Sequence, residues 1–184
     1  MSQVDVDVPN SEPRNRLTVA FRIILAIPHL IVLNVFQWVA QIVAIAQWFV
    51  CVFTGRRHQA MWKIGDDFMG YASRVYSYVD LLDDLYPGFT AAKPESVVRY
   101  SQAFEPEANR LTVGLRFLWA IPAAIIATVL GIAGSVVILI AWFAILFTGK
   151  FPQGMFDFVL KVLHYTLQFI AYTLLLTDVY PHWG

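Results

Sequence analysis

Asn15-Arg16-Leu17-Thr18-Val19 opens a long apolar stretch, and the same five residues return as Asn109-Arg110-Leu111-Thr112-Val113 ahead of a second one. Self-similarity at a fixed period is typical of a repeated structural unit. Because all the shared motifs keep one register without a gap, the chain is predicted to consist of two tandem copies of one unit. The other motifs that recur at the same spacing are Ala26-Ile27-Pro28, Trp48-Phe49, Phe53-Thr54-Gly55 and Tyr86-Pro87.

Each unit contains an apolar run that is too long for the interior of a small soluble domain. Ile23–Gly55 and Phe117–Gly149 contain no Lys, Arg, Asp or Glu, in a chain that is 58% hydrophobic and 14% charged. A soluble domain usually carries about 25% charged residues, whereas a helix that crosses a bilayer needs about 20 consecutive apolar residues. The chain is therefore predicted to be an all-α integral membrane protein.

The path of each apolar run can be drawn in two ways. As one helix, residues 17–54 would extend about 57 Å, against about 30 Å of hydrocarbon. A transmembrane helical hairpin over 17–54, and over 111–148 in the second copy, fits that thickness, with its turn near Asn34 in the first copy and near Gly131 in the second. The alternative is one long span kinked at Pro28. Basic residues on both flanks of each run favour the hairpin, with both ends in the cytoplasm.

Polar elements flank the apolar runs in both copies. Val4–Val8 alternates Val and Asp, which predicts a short leading strand, and Val97–Tyr100 is its counterpart. Amphipathic helices are predicted over 60–84 and 154–178; the second is more apolar, so it either spans or lies at the interface. The predicted domains are unit 1 (1–87), a linker with the second leading strand (88–108) and unit 2 (109–184).

Polar residues that both copies keep are the candidates for a structural or functional role. An arginine inside an apolar run needs a partner or the interface, so Arg22 and Arg116 are predicted to contact Asp84 and Asp178 or nearby carbonyl groups. The entry arginines and the polar stripe of the amphipathic helices supply the other candidates, which are Arg16, Arg110, Lys63, Asp67, Asp157, Lys161 and His164.

The charges on the two amphipathic helices exchange sign between the copies. Lys63 aligns with Asp157, and Asp67 aligns with Lys161. One interpretation is an i, i+4 ion pair within each helix. The other is attraction between the copies across a pseudo-two-fold axis along the membrane normal. The same axis would bring the two leading strands together antiparallel.

Motifs that carry chemistry are missing from the sequence. None of the histidines His29, His58, His164 and His182 has a neighbour at metal-ligand spacing, and no phosphate-binding or nucleophile motif is present. A formal net charge of zero predicts no nucleic-acid partner. We expect no catalytic residue, no metal, no cofactor and no enzymatic activity.

The pattern RLTVxxRxxxAIPH, an apolar run, WFxxxFTG, an amphipathic stretch and a final DxYP resembles a family of small bacterial membrane proteins known only as a domain of unknown function. The second copy departs from this pattern at Ala123, where the first has His29. The resemblance implies architecture and no activity. In the first copy the pattern is carried by Arg16, Leu17, Arg22, Ala26, Ile27, Pro28, His29, Trp48, Phe49, Phe53, Thr54, Gly55, Asp84, Tyr86 and Pro87.

These observations predict a multi-pass protein of the bacterial cytoplasmic (inner) membrane, with its termini, the linker and the 55–60 loop in the cytoplasm. The expected role is that of a non-enzymatic accessory or assembly subunit of a larger envelope complex. Its partners would be the lipid bilayer and other membrane subunits or a second copy of itself. The alternative is a small pseudo-symmetric carrier or lipid-handling protein, because many transporters are built from repeats.

Overall fold

A computed structural model describes residues 4–10, 14–89 and 98–184, and both units show the same order of elements. The predicted tandem repeat is confirmed. Residues 90–97 of the predicted linker, which include Val97 of the predicted second leading strand, lie outside the described residues. Unit 1 contains β1 (Asp5–Asp7), α1 (Arg16–Ala20), α2 (Arg22–Thr54) and α3 (Gln59–Val79). Unit 2 contains β2 (Arg99–Ser101), α4 (Arg110–Gly114), α5 (Arg116–Thr148) and α6 (Gln153–Thr173).

The repeated Asn-Arg-Leu-Thr-Val motif forms a short capped helix ahead of each long one. The Asn15 side chain accepts hydrogen bonds from the backbone N–H groups of Leu17 and Thr18, and Asn109 does the same in α4. Asparagine is favoured at this position because its oxygen satisfies N–H groups that have no partner within the helix. The backbone leaves helical geometry for one residue, at Phe21 in the first copy, and the long helix follows.

The predicted helical hairpins are wrong, because α2 and α5 are each one continuous helix of 33 residues. No turn occurs near Asn34, whose side chain accepts a hydrogen bond from Trp38 one turn later, at 3.2 Å. Gly131 also stays helical. The Asn34 and Ser135 side chains make their hydrogen bonds within the helices, where the Ser135 hydroxyl donates to the carbonyl of Ile132 at 2.8 Å, and a glycine inside a helix costs only about 1 kcal/mol. Pro28 lies within the N-terminal part of α2, and the helix continues through it.

Glycine ends both long helices. Gly55 and Gly149 take left-handed φ angles of 74° and 76°, the usual helix stop.

The two amphipathic helices end earlier than predicted, at Val79 and Thr173. They are followed by left-handed leucines at equivalent positions, Leu81 and Leu175.

The long helices of the two units run antiparallel. The Trp48 indole, near the end of α2, donates to the carbonyl of Val113 just ahead of α5, at 2.9 Å. The Trp142 indole, near the end of α5, donates to the carbonyl of Val19 just ahead of α2, at 3.0 Å. The end of each long helix therefore meets the beginning of the other. Within each unit, the amphipathic helix returns along the long one.

The two leading strands form an antiparallel ribbon, as predicted. Val6 lies opposite Tyr100, and these two residues occupy the same position in the repeat. The pseudo-two-fold axis therefore passes through this residue pair, perpendicular to the ribbon.

The elements stack in three layers along that axis. Residues Trp62, Asp66 and Gly70 share the face of α3 that meets the ribbon, where the Tyr100 hydroxyl donates to Asp66 at 3.0 Å. Phe68 lies on the opposite face, with its ring centroid 5.5 Å from that of Phe36 in α2. The order is thus ribbon, then α3 with α6, then α2 with α5, and the core lies between these layers.

The outermost helices, α2 and α5, expose most of their apolar side chains. Among the described residues, these two helices are long and apolar enough to cross a membrane, and only 22% and 17% of their most apolar windows are buried within the chain. A core helix of a soluble domain would be buried to a much larger extent. The finding agrees with the membrane protein predicted from the sequence; the amphipathic helix α6 does not meet the same criterion.

Candidate functional site

Arg22 lies at the centre of a buried cluster at the end of α3, as predicted. Its Nη1 donates to the carbonyl oxygens of Tyr78 and Asp83, at 2.9 and 2.8 Å, and its Nη2 donates to Asp84 Oδ1 at 2.5 Å. The guanidinium also lies 4.5 Å from the centre of the Tyr78 ring. This group is called the Asp84 cluster. The left-handed turn after α3 makes it possible, because it returns Asp83 and Asp84 to the start of α2.

Unit 2 repeats the arrangement. Arg116 Nη1 donates to the carbonyl oxygens of Tyr172 and Thr177, at 2.6 and 2.8 Å, and its Nη2 donates to Asp178 Oδ1 at 2.5 Å. This group is called the Asp178 cluster. Each arginine thus ties the start of a long helix to the end of its amphipathic partner.

Each aspartate also faces a second arginine that the sequence analysis missed. Arg14 Nη1 lies 3.7 Å from Asp84 Oδ1, and Arg57 Nη2 lies 2.5 Å from Asp178 Oδ1. The repeat gave no signal for either residue, because Arg14 aligns with an alanine and Arg57 with a phenylalanine. The two copies thus supply the second cation from different places in the chain.

Arg57 joins the two units directly. It belongs to the segment after α2, yet it donates to the carbonyl of Leu175 at 2.8 Å and to those of Glu105 and Glu107. Only 4% of its surface is exposed. The prediction of a loop over 55–60 implied that Arg57 is accessible, and this is wrong: burial with four acceptors makes it part of the interior.

The other oxygen of each aspartate accepts a backbone N–H. Asn15 donates to Asp84 Oδ2 and Asn109 donates to Asp178 Oδ2, both at 3.1 Å. Both carboxylates are therefore engaged by cations and by an N–H group of the helix-capping asparagine. Since buried charges persist only when paired and hydrogen-bonded, this arrangement fixes helix ends in position.

Arg16 and Arg110 cover the ends of the long helices across the unit boundary. The Arg110 Nε lies 2.9 Å from where a Cβ on Gly55 would stand, and the Arg16 Nε lies 3.2 Å from the equivalent point on Gly149. A cation at a helix C-terminus is favourable because the last carbonyl groups carry partial negative charge. Both kept arginines therefore act on the opposite unit.

The charges of the amphipathic helices do not meet across the two-fold axis. Lys63 pairs with Asp67 within α3, at 3.0 Å, which is the i, i+4 interpretation. In α6 that interpretation is wrong, because Asp157 accepts from Gln153 at 2.7 Å. Among the described residues no ion pair joins Asp157 to Lys161 or to Lys63. Spacing alone could not show that a neighbouring amide reaches the carboxylate first.

His164 holds the N-terminal strand. Its Nε2 donates to the carbonyl of Val4 at 2.7 Å. In the other strand of the ribbon, burial and the neighbouring Asp66 carboxylate raise the pKa of the Tyr100 hydroxyl. Both contacts attach the ribbon to the middle layer.

A family profile described as Domain of unknown function (DUF4389) matches residues 16–91 and again residues 110–183. The chain belongs to this family. Each match to DUF4389 begins at the first arginine of a capped helix and continues past the aspartate of a cluster, so it includes the central arginine and the aspartate of one cluster. Neither the curated proteins nor the solved structures contain a match to this DUF4389 chain.

The DUF4389 copies differ at His29. Its Nδ1 lies 2.9 Å from the Tyr71 hydroxyl, and its ring stacks on Phe89 at 4.2 Å between centroids. In the second copy the equivalent tyrosine, Tyr165, donates instead to the backbone carbonyl of Ala123, at 3.3 Å. The His29 side chain thus takes the place of a backbone carbonyl as the hydrogen-bond partner of the tyrosine. Within the described ranges, no three His, Cys, Asp or Glu side chains are grouped to hold a metal ion.

A cavity of about 270 Å³ opens beside the Asp178 cluster in this DUF4389 chain. It lies between the second half of α2, the start of α5 and the end of α6. Its lining is mostly apolar, and the polar residues in it are Arg116, Gln41 and Thr173. The apolar lining includes Ala44, Ile45, Trp48, Phe117 and Ala120.

Proposed function

We propose that the protein is a non-enzymatic membrane protein that serves as an accessory or assembly subunit of a larger bacterial membrane complex. The observation that carries the proposal is the unpartnered apolar surface of α2 and α5, which runs the full length of both helices. Contiguous apolar surface of this extent marks contact with lipid or with other proteins.

Polar and small residues within that surface favour a protein partner beside the lipid. Asn34 and Gln41 are exposed on α2, and Gly131 and Ser135 are exposed on α5. Gln41 and Ser135 occupy the same position in the repeat. In membranes, amide, hydroxyl and glycine positions on a helix surface are the ones that join helices, since small residues allow close approach and polar groups hydrogen-bond across the contact.

The buried clusters support a structural role. The buried arginines donate hydrogen bonds to backbone carbonyl groups and to aspartate; these arginines are Arg22, Arg57 and Arg116. These contacts hold the ends of the helices in fixed positions and present the apolar surface as a rigid platform, which is what an assembly subunit offers.

Native purification tests the proposal. The tagged chain, extracted from its own membranes in mild detergent, is expected to bring another membrane subunit with it in a fixed ratio. Gln41→Leu should reduce the recovered subunit several-fold, whereas Ile42→Leu, a neighbouring exposed apolar position, should leave it unchanged. Elution of the parent chain alone, at the size of a single copy, would overturn the proposal.

A lipid-handling role is the second candidate, and the cavity beside Arg116 favours it. Ligand sites are concave and mostly apolar with a few polar groups, and this cavity has that character on a small scale. Native mass spectrometry of the purified chain should then show one bound lipid. Ala120→Phe, which fills the cavity, should remove that lipid, while Val136→Phe on the exposed surface of α5 should not. Loss in neither variant would exclude this cavity as a lipid site.

A further inference from the structure

We propose that the protein enters the bilayer from one side, with α2 and α5 lying in the plane of a single leaflet and the pseudo-two-fold axis along the membrane normal. The occupant of the apolar face is the acyl region of that leaflet. This inference rests on the proposed membrane role and gives it a geometry, in place of the multi-pass path expected from the sequence.

The direction of the pseudo-two-fold axis decides which faces of the molecule are polar and which are apolar. It passes between the paired residues Val6 and Tyr100, perpendicular to the ribbon, and it relates two antiparallel long helices, so both helices lie across it. The ribbon occupies one end of the axis and the exposed face of α2 and α5 occupies the other. The molecule is therefore a slab with one polar and one apolar broad face.

The polar face excludes an upright orientation. Asp5, Asp7 and Arg99 are exposed on the outer side of the ribbon, and the ribbon crosses α3 and α6 near their midpoints, at Gly70 and His164. If the long helices stood along the membrane normal, these three charges would face lipid at mid-depth, which is the least favourable place for them. In the flat orientation they are in water.

The length of the long helices agrees with the flat orientation. A helix of 33 residues is about 50 Å long, whereas the hydrocarbon core measures about 30 Å. Upright, each helix would have to tilt steeply or project beyond the core. In the plane of a leaflet there is no such mismatch. A layer one helix thick, about 10 Å, also fits within half the core.

The positions of the basic residues indicate which leaflet of the bilayer the protein enters. Arg16 and Lys150 lie at one end of the pair of long helices, and Arg56 and Arg110 lie at the other. In the flat orientation the two-fold relation puts Arg16 level with Arg110 and Arg56 level with Lys150, at the ends of the apolar helices. Basic residues at that level attract anionic headgroups, and the cytoplasmic leaflet is the one that basic flanks select. The same-side ends expected from the basic flanks are thus obtained without a hairpin.

Accessibility of matched cysteines tests the orientation. Arg56→Cys and Lys150→Cys occupy the same repeat position at opposite ends of the slab, and Cys51 is fully buried, so the unsubstituted chain serves as the blank. With a membrane-impermeant maleimide, the flat orientation predicts that both variants, and Asp5→Cys on the ribbon, react from the cytoplasmic side only. Reaction of Arg56→Cys and Lys150→Cys from opposite sides would overturn the inference.

Depth measurements give an independent readout. Nitroxide labels at Ile24, Val35 and Phe49, along the exposed line of α2, should lie at equal depth by relative access to oxygen and to a water-soluble nickel complex. An upright helix would put Val35 deeper than Ile24 by about 16 Å, and that result would overturn the flat orientation. Release of the whole chain by an alkaline wash would instead refute the membrane role itself, so the two failures are distinguishable.

Discussion

Replacing Arg22 by leucine should destabilise the protein more than the same change at Arg116. In both variants two buried carbonyl groups lose a charged donor, and each hydrogen bond to a charged group contributes about 1.5–3 kcal/mol. The aspartates differ in what remains. Asp178 keeps the direct contact with Arg57 at 2.5 Å, whereas the cation left beside Asp84 is Arg14, at 3.7 Å.

The magnitude follows from breaking a buried ion pair, which costs about 3–5 kcal/mol when one partner is removed. Asp84 is 24% exposed, so water reaches it in the variant and the lower end of that range applies, about 3 kcal/mol for Arg22→Leu. For Arg116→Leu we expect the cost to be lower by about 1 kcal/mol, since one carboxylate contact survives.

The assay is unfolding of the purified protein in mild detergent, followed by far-ultraviolet circular dichroism along a denaturant series. The double variant Arg22→Leu with Asp84→Asn is the control, because it removes the charge that the single change leaves unpaired. It should recover part of the loss. Unfolding of Arg22→Leu at the parent midpoint would refute the reasoning and reduce Arg22 to an interfacial anchor. An equal loss in both single variants would refute the compensating role of Arg57.

Three further predictions concern other positions. Gly55→Ala should lower the melting temperature, because a left-handed φ costs about 1–2 kcal/mol and the new Cβ meets Arg110; Gly114→Ala, with open space around it, is the control. Arg57→Gln should weaken binding between separately expressed units in a pull-down, and full binding would contradict its bridging role. Burial raises the pKa of Asp80 from 3.8 to about 7, so the folded state loses stability as pH rises from about 4 to about 7. Asp80→Leu should therefore raise the melting temperature at pH 8 more than at pH 4.5, and equal gains would exclude this titration.

The repeat made much of the fold predictable from the sequence. Comparison of the two copies showed that Arg22 corresponds to Arg116 and that Asp84 corresponds to Asp178. Because an arginine inside an apolar run needs a partner, the contact between each arginine and its aspartate could be predicted. Alternation of valine and aspartate predicted the first strand, the repeat predicted the second, and the two-fold relation predicted their antiparallel pairing. In each case a local pattern and a physical need pointed to the same contact.

The remainder depended on contacts between the copies, which no local pattern encodes. The hairpin prediction failed because it took the bilayer thickness as the limit on helix length, whereas the continuous α2 and α5 meet end to start across the unit boundary. Arg14 and Arg57 were missed because each exists in one copy only. The early end of α3 was missed because a leucine, Leu81, adopts the left-handed conformation that sequence patterns assign to glycine.

The exchange of helix-end contacts between the units orders the events of biosynthesis. When α2 leaves the ribosome, the carbonyl that receives the Trp48 indole and the guanidinium that covers Gly55 belong to Val113 and Arg110, which have not yet been translated. The end of α2 therefore lacks these two contacts until the second copy begins to emerge. A nascent chain that stalls between the copies is left with an unfinished fold, which membrane quality-control proteases can recognise.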